Sequence, residues 1–304
     1  MARNPRDLAV ALNVMTSVGY DHQDNTTALA PQEVRHKDYT ASLTAGNLKG
    51  LRLGLLNGFL NHTDSPETTP VNDLMANMAS KLTASGATVV NITEPIYDTI
   101  AIAALDVQAF EYRELLDAYL ARGSNPTTFH DLYSSTNFLV IPSQSSFITR
   151  ALHSSTSNST YSATLDRIQH LTSSLAATFT AHNLDALIYP QQKNLVVPLG
   201  SPSQSGRNGI LAALTGHPVV CIPAGFSPPS TDAPVGVPVG MEILGRPWSE
   251  DLLLSIASRM SELVPVRRMP PFASRMVEPK CYESVPEIRP DTDNIPDAYP
   301  TGVL

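Results

Sequence analysis

The most regular hydrophobic pattern of the chain lies between residues 208 and 260. Residues 210–214 are apolar at helical spacing, and Gly216 and Pro218 then predict the end of a short helix and a tight turn. The next run, 219–222, is short and continuously apolar, which is typical of a strand covered on both faces. The pattern therefore predicts a helix that leads directly into a buried strand.

A second buried strand and a closing helix follow in the same stretch. Residues 227–234 have the Ser, Pro and Asp content of a surface loop, and residues 237–244 form the second apolar run. Ser249 is then predicted to cap a helix with acidic side chains in its first turn. The apolar positions of this helix predict one buried stripe, formed by Leu252, Leu253, Ile256 and Met260.

The pattern over residues 45–92 predicts a pair of parallel strands. A turn and an apolar run at 45–57 precede an amphipathic stretch at 65–86, and a short apolar run follows at 87–92. A strand, a helix and a strand in this order form a crossover unit, whose two strands run parallel.

The remaining segments complete an α/β pattern. We predict helices at 1–16, 97–121 and 163–182, a strand at 185–190, a partly helical irregular segment at 126–146, a Ser-rich surface segment at 145–162 and a long loop at 191–206. The alternation of strands and helices predicts an α/β fold, with a mixed, largely parallel central sheet and helices on both faces. This domain spans 1–275, and the Pro- and Asp-rich residues 276–304 are predicted to form a partly ordered tail.

Composition narrows the classes of function. Of the 304 residues, 42% are hydrophobic and 16% charged, and the net charge is -8. This acidic balance disfavours nonspecific binding to nucleic acid and to anionic membranes. No apolar run approaches the roughly 20 residues of a membrane span, and the first residues do not form a secretory signal, so we expect a cytoplasmic protein. Sequons are expected by chance in a chain so rich in Ser and Thr; they begin at Asn25, Asn61, Asn91 and Asn158.

Two stretches of the chain resemble a known family. TGHPVVCIPAGF, followed by GVPVGMEILGRPWSEDLLLSIA, closely resembles the C-terminal core of the amidase signature family. Near the start, the chain resembles the family's turn, helix and acidic loop that follow its catalytic segment, at Met1, Ala2, Arg3, Asp7, Asp21 and Asp24. The resemblance implies hydrolysis of carbon–nitrogen amide bonds without metal or cofactor. It also implies that residues 1–275 are the C-terminal portion of an amidase domain.

The family's reacting residues have no counterpart in the sequence. The resemblance implies a Lys, a Ser held through a cis peptide and a nucleophilic Ser, on and just before a Gly- and Ser-rich segment. The chain contains no Gly-Gly-Ser-Ser-Gly-like run, and the nearest text, residues 200–206, is interrupted by Pro202 and lies late. We therefore predict no catalytic residue, no cofactor and no metal site. The pocket walls expected at 126–147 and 191–206 match no motif, so substrate-binding residues stay unassigned.

A Lys and several Ser residues offer one local substitute for the family's catalytic group. Lys193 follows a predicted strand, and Ser201, Ser203 and Ser205 lie downstream. This order sketches a Ser–Lys pair, but a solvated loop is the favoured interpretation.

Other nucleophile and base candidates are weaker. His217 faces a substrate channel in one interpretation and caps the turn before Pro218 in the favoured one. His130 and Asp131 imitate two members of a triad, but adjacent residues rarely orient each other in that way. Cys221 has apolar neighbours, which raise a thiol pKa, and is expected to be a small buried filler. No His pair has metal-ligand spacing.

Three hypotheses follow. In the first, the chain is a truncated amidase-signature protein, inactive alone, that takes a small-molecule amide substrate when a catalytic half completes it. In the second, it is a noncatalytic binding or partner protein that self-associates through an uncovered sheet edge, with the N-terminal helix and the strand at Leu51 as candidate faces. In the third, it is a full amidase whose start site is assigned too late.

Overall fold

The computed structural model describes residues 1–21, 24–45, 47–123, 127–134, 142–198, 201, 204 and 206–268. Residues Met1–Val266 form one compact unit, and Arg267–Leu304 form a second. The predicted tail, 276–304, lies outside the described residues, as does the predicted boundary at 275. All the helices and strands described below belong to the first unit.

Helices and strands alternate along the first unit. The strands are β1 (Arg52–Leu56), β2 (Thr88–Ile92), β3 (Ala186–Pro190), β4 (Val219–Phe226) and β5 (Pro238–Leu244). The helices are α1 (Pro5–Ser17), α2 (Gln32–Arg35), α3 (Ser42–Ala45), α4 (Thr69–Ala84), α5 (Thr99–Ala103), α6 (Gln108–Leu120), α7 (Phe129–Ser134), α8 (Pro142–Leu152), α9 (Ser159–Ala181), α10 (Ile210–Thr215) and α11 (Glu250–Leu263).

The strands form a single mixed sheet in the order β2-β1-β3-β5-β4. β1 is parallel to both β2 and β3, as the predicted crossover through α4 requires. β5 is antiparallel to β3, and β4 is antiparallel to β5. Only β5 therefore runs against the other strands of this sheet, so the fold is the predicted largely parallel α/β fold.

Helices pack on both faces of the sheet and divide the core in two. On one face, α4 and α11 bury apolar side chains that include Met75, Met78, Ile256 and Met260. On the other face, α9 and α10 bury a second set that includes Leu171, Leu175, Phe179 and Leu211. Each Å² of apolar surface removed from water contributes about 25 cal/mol, so burial in these two layers is the main stabilising contribution to the fold.

The N-terminal helix and the strand at Leu51 were the two candidate faces for self-association, and they differ in exposure. Along α1, Val10, Val14 and Met15 are exposed, as is Val18 directly after it, so this helix keeps an apolar surface. Leu51 leads into β1, which lies between β2 and β3 and is buried along nearly its whole length. The prediction that this strand is a free face was wrong, because β1 is central and not at an edge.

The predicted helix at 97–121 is two helices. α5 begins after Asp98, whose carboxylate accepts a hydrogen bond from the N–H of Ala101, and it ends at Ala103. Asp106 accepts from the N–H of Gln108 and opens α6. Asp98 caps the start of α5, whereas Asp106 lies between the two helices, where its side chain competes with the helical backbone bonds and separates α5 from α6.

The predicted Ser-rich surface segment is partly a packed helix. α8 occupies Pro142–Leu152, and Ile148 and Ala151 are buried in a cluster with Phe129. The ring of Phe147 meets Tyr112 of α6 edge-on at 5.2 Å. The polar serines around Ile148 and Ala151 obscure the apolar spacing of this helix. The prediction of a surface segment at 145–162 was therefore wrong as far as Leu152.

Candidate active site

Three strands bring polar side chains together on the face of the sheet that α9 and α10 cover. Tyr189 of β3 lies opposite Glu242 of β5, and Glu242 lies opposite Cys221 of β4. Directly opposed residues point to the same face of a sheet. These residues therefore form a continuous row across the sheet, named here the Tyr–Glu–Cys row.

The protein covers this face only in part. Leu187 and Leu244, one step along the strands, are fully buried, whereas Val219, opposite Leu244, is 40% exposed. The face is open to solvent along β4 and at the start of β5, and this open face is formed by Val219, Cys221, Pro223 and Pro238. The Tyr–Glu–Cys row thus runs from the buried core at Tyr189 to the open face at Cys221.

The open face corrects two predictions. The run 219–222 was predicted to be covered on both faces, but exposed and buried positions alternate along β4 because it is an edge strand covered by α4 and α11 on one side only. Cys221 is exposed, so it is not the predicted buried filler.

Ser249 and His217 are turn residues. Ser249 lies at the predicted N-cap position of α11, but its hydroxyl donates to the carbonyl of Arg246 at 2.7 Å and does not cap the helix. His217 is buried, and its Nδ1 lies 3.1 Å from the carbonyl oxygen of Thr215, which is the predicted turn contact. Burial lowers the pKa of His217, and this contact opposes the shift.

Asn208 anchors the end of the loop that follows β3. Its side-chain Nδ2 donates to the carbonyl oxygens of Phe59 at 2.8 Å and Pro190 at 2.9 Å. Both partners are acceptors, so the amide nitrogen must face them and Oδ1 must point elsewhere. The next residue, Gly209, passes close to Glu242, since a Cβ built on it would lie 3.3 Å from Glu242 Oε1.

Buried polar atoms without hydrogen-bond partners concentrate at the inner end of the row. Three of the six such atoms among the described residues lie here: Tyr189 Oη, Glu242 Oε2 and Asn208 Oδ1. A Tyr189–Glu242 side-chain hydrogen bond raises the pKa of the tyrosine and lowers that of the carboxyl, although Tyr189 Oη and Glu242 Oε2 fall outside strict hydrogen-bond geometry. Because a buried polar group without a partner costs about 1–3 kcal/mol, three such atoms in one place call for an explanation.

Burial dominates the ionisation of the row. It raises the pKa of Glu242 above its ordinary value, and it raises that of Tyr189 further, with the nearby Glu242 carboxylate as the second cause. Burial and then Glu242 raise the pKa of Cys221 to about 11. Although its side chain keeps surface exposure, Cys221 is therefore a thiol at neutral pH and a poor nucleophile.

The structure describes Lys193 and one of the three Ser residues considered as its partner, Ser201. Lys193 lies in the loop after β3, where its backbone N–H donates to the carbonyl of Gly206, and burial lowers its pKa against the opposing effect of Asp98. Within the described part of this loop, no hydrogen bond joins Lys193 to Ser201. Ser203 and Ser205 lie outside the described residues.

His130 and Asp131 do not form a proton relay. His130 Nδ1 is 3.7 Å from Asp131 Oδ1 and 3.5 Å from Ser134 Oγ. A relay needs the acid and the hydroxyl on different ring nitrogens, but both approach Nδ1 here. Both side chains are also largely exposed, at 75% and 66%.

Two other kinds of site are absent from the described residues. They hold no group of three or more His, Cys, Asp or Glu residues arranged to bind a metal ion. Their helices include none with the length and apolar content needed to cross a bilayer.

Comparisons with known proteins identify the family. A family model described as Amidase matches residues 1–254. The chain belongs to the amidase signature family. The open face and the Tyr–Glu–Cys row lie within the residues that the family model matches.

Relatives and solved structures agree with this assignment. The A subunit of glutamyl-tRNA(Gln) amidotransferase from Desulfotalea psychrophila is 26% identical over 88% of this chain and 55% of its own length. Its counterpart from Acinetobacter baumannii is 28% identical over 86% of this chain and 53% of its own. The peptide amidase structure from Stenotrophomonas maltophilia matches with a TM-score of 0.69 and 25% identity over 88% of this chain and 53% of that one. The chain therefore spans about half the length of the relatives it matches.

Sequence reasoning did not single out Tyr189, Asn208 or Glu242. Tyr189 and Glu242 are embedded in apolar runs that were interpreted as plain buried strands. A carboxylate inside such a run, as in VGMEILG, is itself a signal, since Glu is rarely buried without a partner.

Proposed function

We propose that this protein takes part in the hydrolysis of carbon–nitrogen amide bonds as the scaffold part of an amidase. In this proposal, polypeptide carrying a Lys and two Ser residues covers the open face, and the chain of 304 residues is inactive without it. The observation that carries the proposal is an amidase-family fold whose β4–β5 face is open, in a sequence without a Gly- and Ser-rich catalytic run.

The chemistry of the described side chains supports inactivity of the chain alone. Amide hydrolysis needs a nucleophile, a base that activates it and donors for the oxyanion. Cys221 is held as a thiol, and Lys193 makes no hydrogen bond to Ser201 in the described part of the loop. His130 presents one nitrogen to both of its partners.

The names of the relatives support an amide as the class of substrate. One is called a peptide amidase, and others are named as part of an amidotransferase. Both names concern amide nitrogen, so a small-molecule amide is the proposed substrate of the completed protein.

An assay of amide hydrolysis tests the proposal. Purified protein is incubated with a chromogenic anilide, beside the variants Lys193→Met and Ser201→Ala. We expect no release of aniline above the buffer rate in any of them. Turnover by the wild type that Lys193→Met abolishes would overturn the proposal, because it would show a working catalytic group within the chain.

A second candidate function, a noncatalytic partner protein, is favoured by α1. Its exposed Val10, Val14, Met15 and Val18 form an apolar surface of the kind that marks interaction sites. Light scattering distinguishes this candidate: a monomer at all concentrations, with no binding of an apolar dye, argues against it.

A further inference from the structure

The inner end of the Tyr–Glu–Cys row is rich in hydrogen-bond acceptors. Glu242 offers Oε2 and Asn208 offers Oδ1, and both atoms are buried without a partner. Gln191, the next residue on this face after Tyr189, adds Oε1, which lies 3.8 Å from Cys221 Sγ. The side-chain donors of the cluster are Tyr189 Oη and the amide nitrogen of Gln191, because Asn208 Nδ2 already donates to two carbonyls.

The negative charge of the cluster is also uncompensated. Within the described part of the chain, Glu242 takes part in no ion pair. The side chain is only 6% exposed, and a carboxylate buried to this extent normally has a cationic or multiply donating partner. The missing partner is therefore both positive and a donor of several hydrogen bonds.

Gly240 and its neighbours lie where the cluster meets the open face. Gly240 lies beside Glu242 on β5 and is only partly buried, and Gln191 and Cys221 next to it are exposed. A Cβ built on Gly240 would lie 3.0 Å from both Cys221 Sγ and Gln191 Oε1. A side chain at position 240 would therefore crowd both of these residues, which are in contact with each other above Gly240.

We propose that Glu242, Asn208 and Gln191 form a binding site for a primary ammonium group. An ammonium group carries one positive charge and three N–H donors, which matches the charge and the acceptors of this cluster. Two sources share this chemistry: a free alkylamine and a lysine side chain of a covering polypeptide. The proposal does not depend on amide hydrolysis, so failure of one leaves the other standing.

Binding of n-butylammonium to the full chain tests the site. NMR of carboxyl-labelled Glu monitors the binding, which we expect to be saturable. Tetramethylammonium lacks N–H donors and 1-butanol lacks charge, so we expect each to bind at least about tenfold more weakly. Glu242→Gln keeps the shape but removes the charge and should weaken n-butylammonium binding at least about tenfold.

Glu250→Gln is the matched control. Glu250 also has a buried carboxylate oxygen without a partner, but it lies at the start of α11, where the charges of Asp251 and Lys37 interact with its carboxyl group. We expect this variant to bind n-butylammonium like the wild type. Equal binding by the wild type and Glu242→Gln, or no saturable binding at all, would overturn the proposal.

A second measurement uses the wild-type protein alone and so does not depend on whether a variant folds. The ionisable groups facing Glu242 are Tyr189 on β3 and Cys221 on β4, while α10 carries none. Saturating n-butylammonium should lower the pKa of the Glu242 carboxyl; an unchanged pKa contradicts the proposal. Nα-acetyl-lysine N-methylamide, which presents the same head group on a peptide backbone, separates the sources. Tighter binding than n-butylammonium indicates a lysine side chain, and equal binding indicates a free amine.

Discussion

At the scale of single residues, Asn208 connects three parts of the site. Its Nδ2 ties the end of the loop to Phe59 and to Pro190 at the end of β3, while the chain continues past Glu242. Both carbonyls lose their donor if the amide nitrogen is replaced by oxygen.

Asn208→Asp should therefore destabilise the fold. Two buried carbonyls would face a carboxyl group instead of an amide donor, and we expect the free energy of unfolding to fall by about 3 kcal/mol. Denaturant unfolding measures the change. Asn91→Asp, at an exposed position on the edge strand β2, is the control and should stay within about 0.5 kcal/mol of the wild type. A matching small change for Asn208→Asp would contradict the role given to its amide.

Glu242 links stability to pH. Its pKa is raised in the folded state above the ordinary value of 4.5, so the folded protein holds this proton more tightly than the unfolded chain does. The stability that the protonated carboxyl contributes is complete below 4.5 and is lost as the pH rises through the folded-state pKa.

Glu242→Gln should consequently gain stability relative to the wild type as the pH rises from about 4 to 7, because it carries no charge to bury. Denaturant unfolding across this range checks the prediction, and equal m-values serve as the control that both proteins unfold to the same extent. A difference between the two proteins that does not change with pH would contradict the assignment.

At the scale of elements, apolar periodicity predicted the strands well. The crossover β1–α4–β2 and the neighbouring strands β4 and β5 beneath α11 follow from local apolar runs and from the Gly and Pro residues that end them. Gly216 illustrates this, because it has a φ of 67° where α10 ends, and a glycine adopts that conformation without strain.

Polar side chains inside elements were the main source of error. Asp106 interrupts the single helix that the apolar spacing predicted at 97–121, and the serines of α8 masked its apolar stripe. The Tyr–Glu–Cys row was missed for a related reason. It is assembled by pairing between β3, β5 and β4, and strand order cannot be derived from periodicity along a single segment.

The packing of α11 gives a further prediction. Met260 is fully buried against the sheet, and Met260→Ala should lower the free energy of unfolding by about 2–5 kcal/mol through lost burial and a cavity. Met15→Ala removes the same side chain from a position on α1 that is 69% exposed and should have little effect. Equal effects of both changes in thermal unfolding would contradict the proposed core.

Introducing a charged side chain tests whether the exposed surface of α1 mediates self-association. If α1 mediates self-association, Val14→Glu should shift the protein toward monomer in light scattering, because a buried unpaired carboxylate opposes association. Val235→Glu makes the same change at another exposed valine, in the loop before β5, and should leave association unchanged. An identical effect of both variants would point to net charge instead of this helix.

At the scale of the whole molecule, the two faces of the sheet differ in how they are covered at β4. α4 and α11 cover one face across β4, whereas on the opposite face the cover ends before β4. An edge strand with one open face is a ready site for further polypeptide. This asymmetry connects the fold to the proposal that the reacting residues are brought to it.

A serine-directed reagent tests that claim most directly. A fluorophosphonate forms a covalent adduct only with a serine that its surroundings activate, and mass spectrometry of the intact chain counts such adducts. We predict that the chain of 304 residues gives no adduct beyond that of the heat-denatured protein. A single stoichiometric adduct on the folded wild type, abolished by Lys193→Met, would contradict the account.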